Sequence, residues 1–157
     1  MRTRSCLSVV VLLCGCAGGD GGGPPSAADC LRGWWTAPAQ PCYSPEPEFS
    51  QPDCQQLTIK GFLDGGAYYT GTVSVSYQVR TMSASVPITL GTWRVVDANT
   101  VEVVTPAAGQ RQVYISCSGD RLQFGSSVGM NRAAQEIAGV LNTQVTSGTT
   151  SFSAQPF

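Results

Sequence analysis

Tyr69-Thr70-Gly71-Thr72-Val73-Ser74-Val75-Ser76-Tyr77-Gln78-Val79-Arg80 decides the fold class. Tyr69, Gly71, Val73, Val75, Tyr77 and Val79 alternate with Thr, Ser, Gln and Arg. Successive side chains of a strand point to opposite faces, so the stretch reads as one long strand with a core face and a wet face. Before it, Leu57 to Leu63 forms a shorter strand, and Asp64-Gly65-Gly66 between the two is a hairpin signal. After it, Ser83 to Leu90 holds a strand interrupted by Pro87. Thr92 to Val96 and Val101 to Val104 flank a turn at Asp97-Ala98-Asn99, and Val113 to Cys117 and Leu122 to Phe124 flank Ser118-Gly119-Asp120. Strands at this spacing, joined by tight turns, predict a meander and hence a barrel or sandwich. Closure removes the sheet edges that invite aggregation, so the expected architecture is all-β, a small antiparallel meander barrel. One short C-terminal helix follows. Met130, Ala134, Ile137, Ala138 and Leu141 fall at helical spacing, with Asn131 as the cap. The stripe is narrow and partly alanine, which places the helix against the outside of the sheet.

Composition excludes several functions. Charged residues are 12% of the 157, against about 25% in an ordinary chain. The net charge is −1, Lys60 is the one lysine, and there is no histidine. A nucleic-acid partner that works by phosphate neutralisation needs a basic face, and none can be built. A polybasic membrane patch is excluded on the same ground. His-based triads, His general bases and His-ligated metals are absent together. No catalytic residue, metal or cofactor is expected.

The N-terminus carries an address. Arg2 and Arg4 precede a short apolar run from Cys6 to Leu13, far shorter than the about 20 residues of a membrane span. This is the pattern of a secretory signal peptide. Leu13-Cys14-Gly15-Cys16 then resembles the lipobox of bacterial lipoproteins, in which a small residue precedes the modified cysteine. The resemblance implies cleavage before Cys16. It also implies diacylglycerol on that thiol and an acylated amine, with palmitate as the acyl chain. Several chains together give durable anchoring where one is marginal. Ala17 in place of Asp points to the outer membrane of a bacterial cell envelope. The expected layout is a signal peptide over 1–15, a lipidated Gly/Pro-rich tether over 16–29, a barrel domain with its helix over 30–142, and a flexible tail over 143–157.

Cys30, Cys42, Cys54 and Cys117 remain after the leader, and an even number in an exported chain reads as two disulfides. Of the three connectivities, Cys54–Cys117 with Cys30–Cys42 leads, because the ends of the strands holding Cys54 and Cys117 can share one rim. Cys42–Cys54 with Cys30–Cys117 is the rival. Cys42 to Cys54 is a Pro-rich loop with Glu46, Glu48 and Asp53.

Gly33-Trp34-Trp35, the Asp64-Gly65-Gly66 hairpin before Tyr68 and Tyr69, Gly91-Thr92-Trp93, and the final Ser118-to-Leu122 turn come in an order that resembles the small lipocalin-like domains of bacterial lipoproteins. The likeness spans roughly Cys30 to Phe124, and the helix after the last strands fits it. The resemblance implies a small apolar ligand inside the barrel, with Trp34, Trp35, Tyr69, Tyr77 and Trp93 as candidate ligand or partner residues. The alternative is a protein-binding barrel, an inhibitor of a protease or lysozyme or an envelope interaction protein. A wide apolar cavity favours the first, and a barrel filled by Trp34, Tyr69, Tyr77 and Trp93 favours the second. Gly125-Ser126-Ser127-Val128-Gly129 matches the G-x-S-x-G nucleophile pattern, but that serine needs a base. A small-residue connection between strand and helix accounts for it.

Overall fold

The computed structural model describes residues 26–38, 40–42 and 53–157. The expected signal peptide, Cys16, most of the tether and residues 43–52 of the Pro-rich loop lie outside the described residues.

The chain folds as the expected antiparallel meander barrel. Strand β1 is Gly33–Thr36, β3 Cys54–Phe62, β4 Ala67–Ser76, β6 Thr89–Asp97, β7 Thr100–Thr105, β8 Gly109–Ser118, β9 Arg121–Phe124 and β10 Met130–Arg132. Each pairs with the next along this series, and β10 returns to β1, so eight strands close. Three shorter strands extend the wall. β2, Gln40–Pro41, pairs with the outer end of β3. β5, Thr81–Ala84, pairs with the outer end of β4. β11, Phe152–Pro156, adds to β5. Pro87 falls in the break between β5 and β6, since proline cannot donate to a ladder. The Asp64–Gly66 turn joins β3 to β4 with Gly65 at φ 72° and Gly66 at φ 79°, a backbone that residues with a Cβ rarely adopt.

Two apolar cores lie on opposite sides of the β3–β4 wall. Inside the barrel are Leu31, Trp35, Phe62, Tyr68, Val101, Val103, Ile115, Leu122, Phe124 and Met130. Outside it, Trp34, Leu57, Ile59, Val73, Val75 and Met82 pack against Ile137, Leu141 and Val145 of helix α2, Gln135–Thr146. Gly61 has no side chain because the Trp34 ring occupies the place of its Cβ, 2.6 Å away.

Val73 and Val75 of the Tyr69-to-Val79 stretch are therefore buried as expected, but not in the barrel interior. Tyr69, Val73 and Val75 face outward and are covered by α2, while Tyr68 and Thr72 on the alternate face line the interior. The polar face is the concave one. Alternation separates two faces without saying which is concave. The strand also ends at Ser76, and Tyr77 and Val79 stand exposed in the following turn, 50% and 67% accessible.

Four further expectations are corrected. Met130 begins a strand and points into the barrel, so the helix starts at Gln135 with Ala134 rather than Asn131 at its cap. The 143–157 tail is not loose. The helix continues to Thr146, β11 pairs with β5, Phe152 is buried, and the Phe157 backbone N–H donates to Arg80 O at 3.0 Å. The ordered domain also begins before Cys30. Helix α1, Ala27–Leu31, is capped by the Ser26 hydroxyl, which accepts from the Asp29 N–H at 3.2 Å. The disulfides are Cys30–Cys117 and Cys42–Cys54, not the leading pairing. Cys117 points into the barrel at the end that α1 plugs, and Cys54 lies at the other end of its strand.

Candidate functional site

Among the described residues, the barrel is filled at one end and open at the other. At the filled end, Phe62 makes an edge-on contact with Trp93 at 5.4 Å between ring centroids and packs on Tyr68 at 5.2 Å and Phe124 at 5.9 Å. Such pairs add to the area that the rings bury. Trp35 is fully buried, and its Nε1–H donates to Leu31 O at 2.7 Å. Arg132 lies flat over it, with its guanidinium carbon 4.0 Å from the Trp35 ring centroid. The same guanidinium donates to Cys30 O at 3.0 Å and to Arg32 O. One arginine thus clamps α1 onto the barrel floor, beside the Cys30–Cys117 bridge.

At the open end a cleft of about 530 Å³ enters the barrel. One wall is the inner face of β3 and β4. Antiparallel register sets Lys60 opposite Thr70 and Thr58 opposite Thr72, with Gln56 beyond them. The facing wall is Ala37 and Pro38 after β1, with Val128 from the segment after β9 and Met130 at the start of β10. Lys60 marks the depth at which cleft gives way to packed core. Its Nζ donates to Tyr68 Oη at 3.2 Å and to Thr70 Oγ1 at 3.5 Å, and lies 4.6 Å from the Phe124 ring centroid. The rim is tied by Cys42–Cys54 and by Asp53. The Asp53 carboxylate accepts from the Ser76 hydroxyl and, at 3.0 Å, from the Gln78 N–H, and these donors hold it below the usual carboxylate range.

The aromatic residues singled out from sequence do not form one site. Trp35 and Trp93 are inside but belong to the packed end, where Trp93 Nε1–H donates to Leu63 O at 3.0 Å. Trp34 and Tyr69 lie on the outer face, 5.7 Å apart, and Trp34 Nε1–H donates to Asn142 of α2 at 2.7 Å. Tyr77 is at the β4–β5 turn, edge-on to Phe157 at 6.2 Å. The cleft is instead made by Gln56, Thr58, Lys60, Thr72 and Met130, none of which sequence reading selected for a site. The available signal was Lys60, the one lysine of the chain, set in a strand on the face opposite Leu57 and Ile59. Arg132 likewise went unassigned.

Ser127 of the G-x-S-x-G pattern sits at the cleft rim, and its hydroxyl donates to Phe124 O. Among the described residues no three His, Cys, Asp or Glu side chains converge as metal ligands would, and no helix is long and apolar enough to cross a membrane. No family model, curated protein or solved structure matches the chain.

Proposed function

We propose that this is a membrane-anchored, non-enzymatic lipoprotein of the bacterial cell envelope, held in the outer membrane through Cys16, whose lipocalin-like barrel binds a small, partly apolar ligand at its mouth. The observation that carries the binding role is the cleft. It is concave, enters a closed barrel, and combines apolar wall with a few placed polar groups, which is the usual make-up of a small-molecule site. The filled lower half keeps the ligand shallow, so the ligand is smaller than one that would occupy a whole barrel. Anchoring rests on the Gly15-Cys16 signal and on the terminus that leads from it to α1.

The test is native mass spectrometry of the full chain extracted from membranes. A small molecule retained by the wild type and absent from Thr72→Trp, which fills the cleft, supports the reading. Retention by both chains would move the site elsewhere. Membrane fractionation with labelled palmitate tests the anchor, and Cys16→Ser should be unlabelled and released. A second reading is favoured by the exposed Tyr77, which lies beside Phe157 at the rim. There a protein partner would dock on aromatic side chains, as protein interfaces commonly do. Cross-linking that is lost in Tyr77→Ala but kept in Thr72→Trp would select it.

A further inference from the structure

The charge at the bottom of the cleft specifies the ligand's chemistry, given the reading that the mouth binds a small molecule. An ammonium has three N–H donors and a full positive charge. In Lys60 two donors go to Tyr68 Oη and Thr70 Oγ1, and the Phe124 ring lies below. All three neighbours are neutral. Hydrogen bonds and a ring face support a cation but do not neutralise it. Most of the acids among the described residues already have partners. Asp29 and Asp64 pair with Arg32, Glu102 with Arg94, and Asp120 with Arg132. Asp53 is held by Ser76 and Gln78. Among the described residues no carboxylate lies within ion-pair distance of Lys60.

An ammonium that has no counter-charge among the described residues is tolerable in a cleft while water fills the space. A ligand that displaces that water must replace what the water supplied. A purely apolar ligand would cover the ammonium and the Thr58 and Thr72 hydroxyls and give them nothing. We propose that the cleft takes a small organic monoanion, with its acid group on Lys60, its polar edge along Thr58 and Thr72, and its apolar edge against Pro38 and Met130. The third ammonium donor and one carboxylate oxygen then form a charge-assisted hydrogen bond, stronger than a neutral one.

A matched pair of probes tests this on the full chain in detergent, 2-naphthoate and 2-naphthalenemethanol, titrated by calorimetry. The two share a ring system and differ in charge. Wild type should bind the acid at least about tenfold more tightly, and the preference should shrink as salt rises. Lys60→Arg should keep the preference. Lys60→Met should bind both probes alike, with the alcohol as tight as in wild type, and Thr72→Trp should bind neither. Equal affinity for the two probes in wild type, or a preference that survives Lys60→Met, overturns the anion assignment and leaves binding at the mouth intact. Failure of wild type to bind either probe overturns both readings. Should Lys60→Met not fold, the wild-type preference and its salt dependence, with Lys60→Arg, decide the matter.

Discussion

Val75 is fully buried beneath α2, while Ser74 beside it belongs to the inner face and pairs across the barrel wall with Gln56. Val75→Asp would bury a charge with no partner and should cost about 3–5 kcal/mol. Ser74→Asp keeps its carboxylate near the cleft and should cost under about 1 kcal/mol. Thermal melts of both variants check the register, and a larger loss for Ser74→Asp would reverse it. Acids give the second residue-scale expectation. Glu102 is covered on the outer wall, its side chain only 8% accessible, and it accepts two hydrogen bonds from Arg94, at 2.6 and 3.0 Å, and one from Gln110 at 2.6 Å. The Arg94 hydrogen bonds first, and Gln110 second, hold its carboxyl below the ordinary range. A depressed acid stabilises the fold above its unfolded-state value, and that contribution disappears as pH falls through the folded-state value. Melting temperature should therefore drop on acidification below the ordinary glutamate range. Glu102→Gln should be less stable at neutral pH and should show a shallower acid limb, measured by melts across pH. Asp53 acts in the same direction at the rim. The Arg94 side chain is 66% accessible, so added salt should weaken the Glu102 effect.

Helix α2 covers the outer face of the barrel wall with Ile137, Leu141 and Val145, one turn apart. Leu141 is fully buried in that second core. Leu141→Ala removes buried methyls and leaves a cavity, which should cost about 2–5 kcal/mol in denaturant unfolding. A loss under about 1 kcal/mol would mean that the helix is loosely laid on the sheet. The sequence contained this helix as an apolar stripe, but began it at Met130 rather than Gln135. Met130 and Ala134 fit helical spacing and equally fit the inward position of a short strand followed by a turn. Only pairing of Met130 with Leu122, and of Trp35 with Arg132, separates the two. The terminal strand β11 was not legible for a similar reason. Five residues with one large apolar side chain carry no periodic signal, and β11 exists because β5 presents an unpaired edge for it.

At the scale of the whole molecule, two disulfides close loops of very different length. Cys30–Cys117 spans 87 residues and ties the α1 plug to β8, while Cys42–Cys54 spans 12 and ties the rim. On the chain-entropy account the long loop should contribute about 4–5 kcal/mol and the short one about 3 kcal/mol. The paired replacement Cys30→Ser with Cys117→Ser should therefore lower the denaturation midpoint more than Cys42→Ser with Cys54→Ser. The reverse order would assign the rim a larger share of stability than chain entropy allows. By itself the sequence determined the local and the periodic features. These were most of the long strands and their turns, the all-β meander, the existence of a C-terminal helix, and the absence of histidine chemistry. Each depends on neighbours within a few residues or on composition. Tertiary structure decided what depends on distant partners. It set which face of the Tyr69-to-Ser76 strand is concave, which cysteines meet, and that Arg132 lies on Trp35 from about a hundred residues away. It also placed Lys60 at the bottom of a cleft, because only barrel closure gives an alternating strand an inside and an outside.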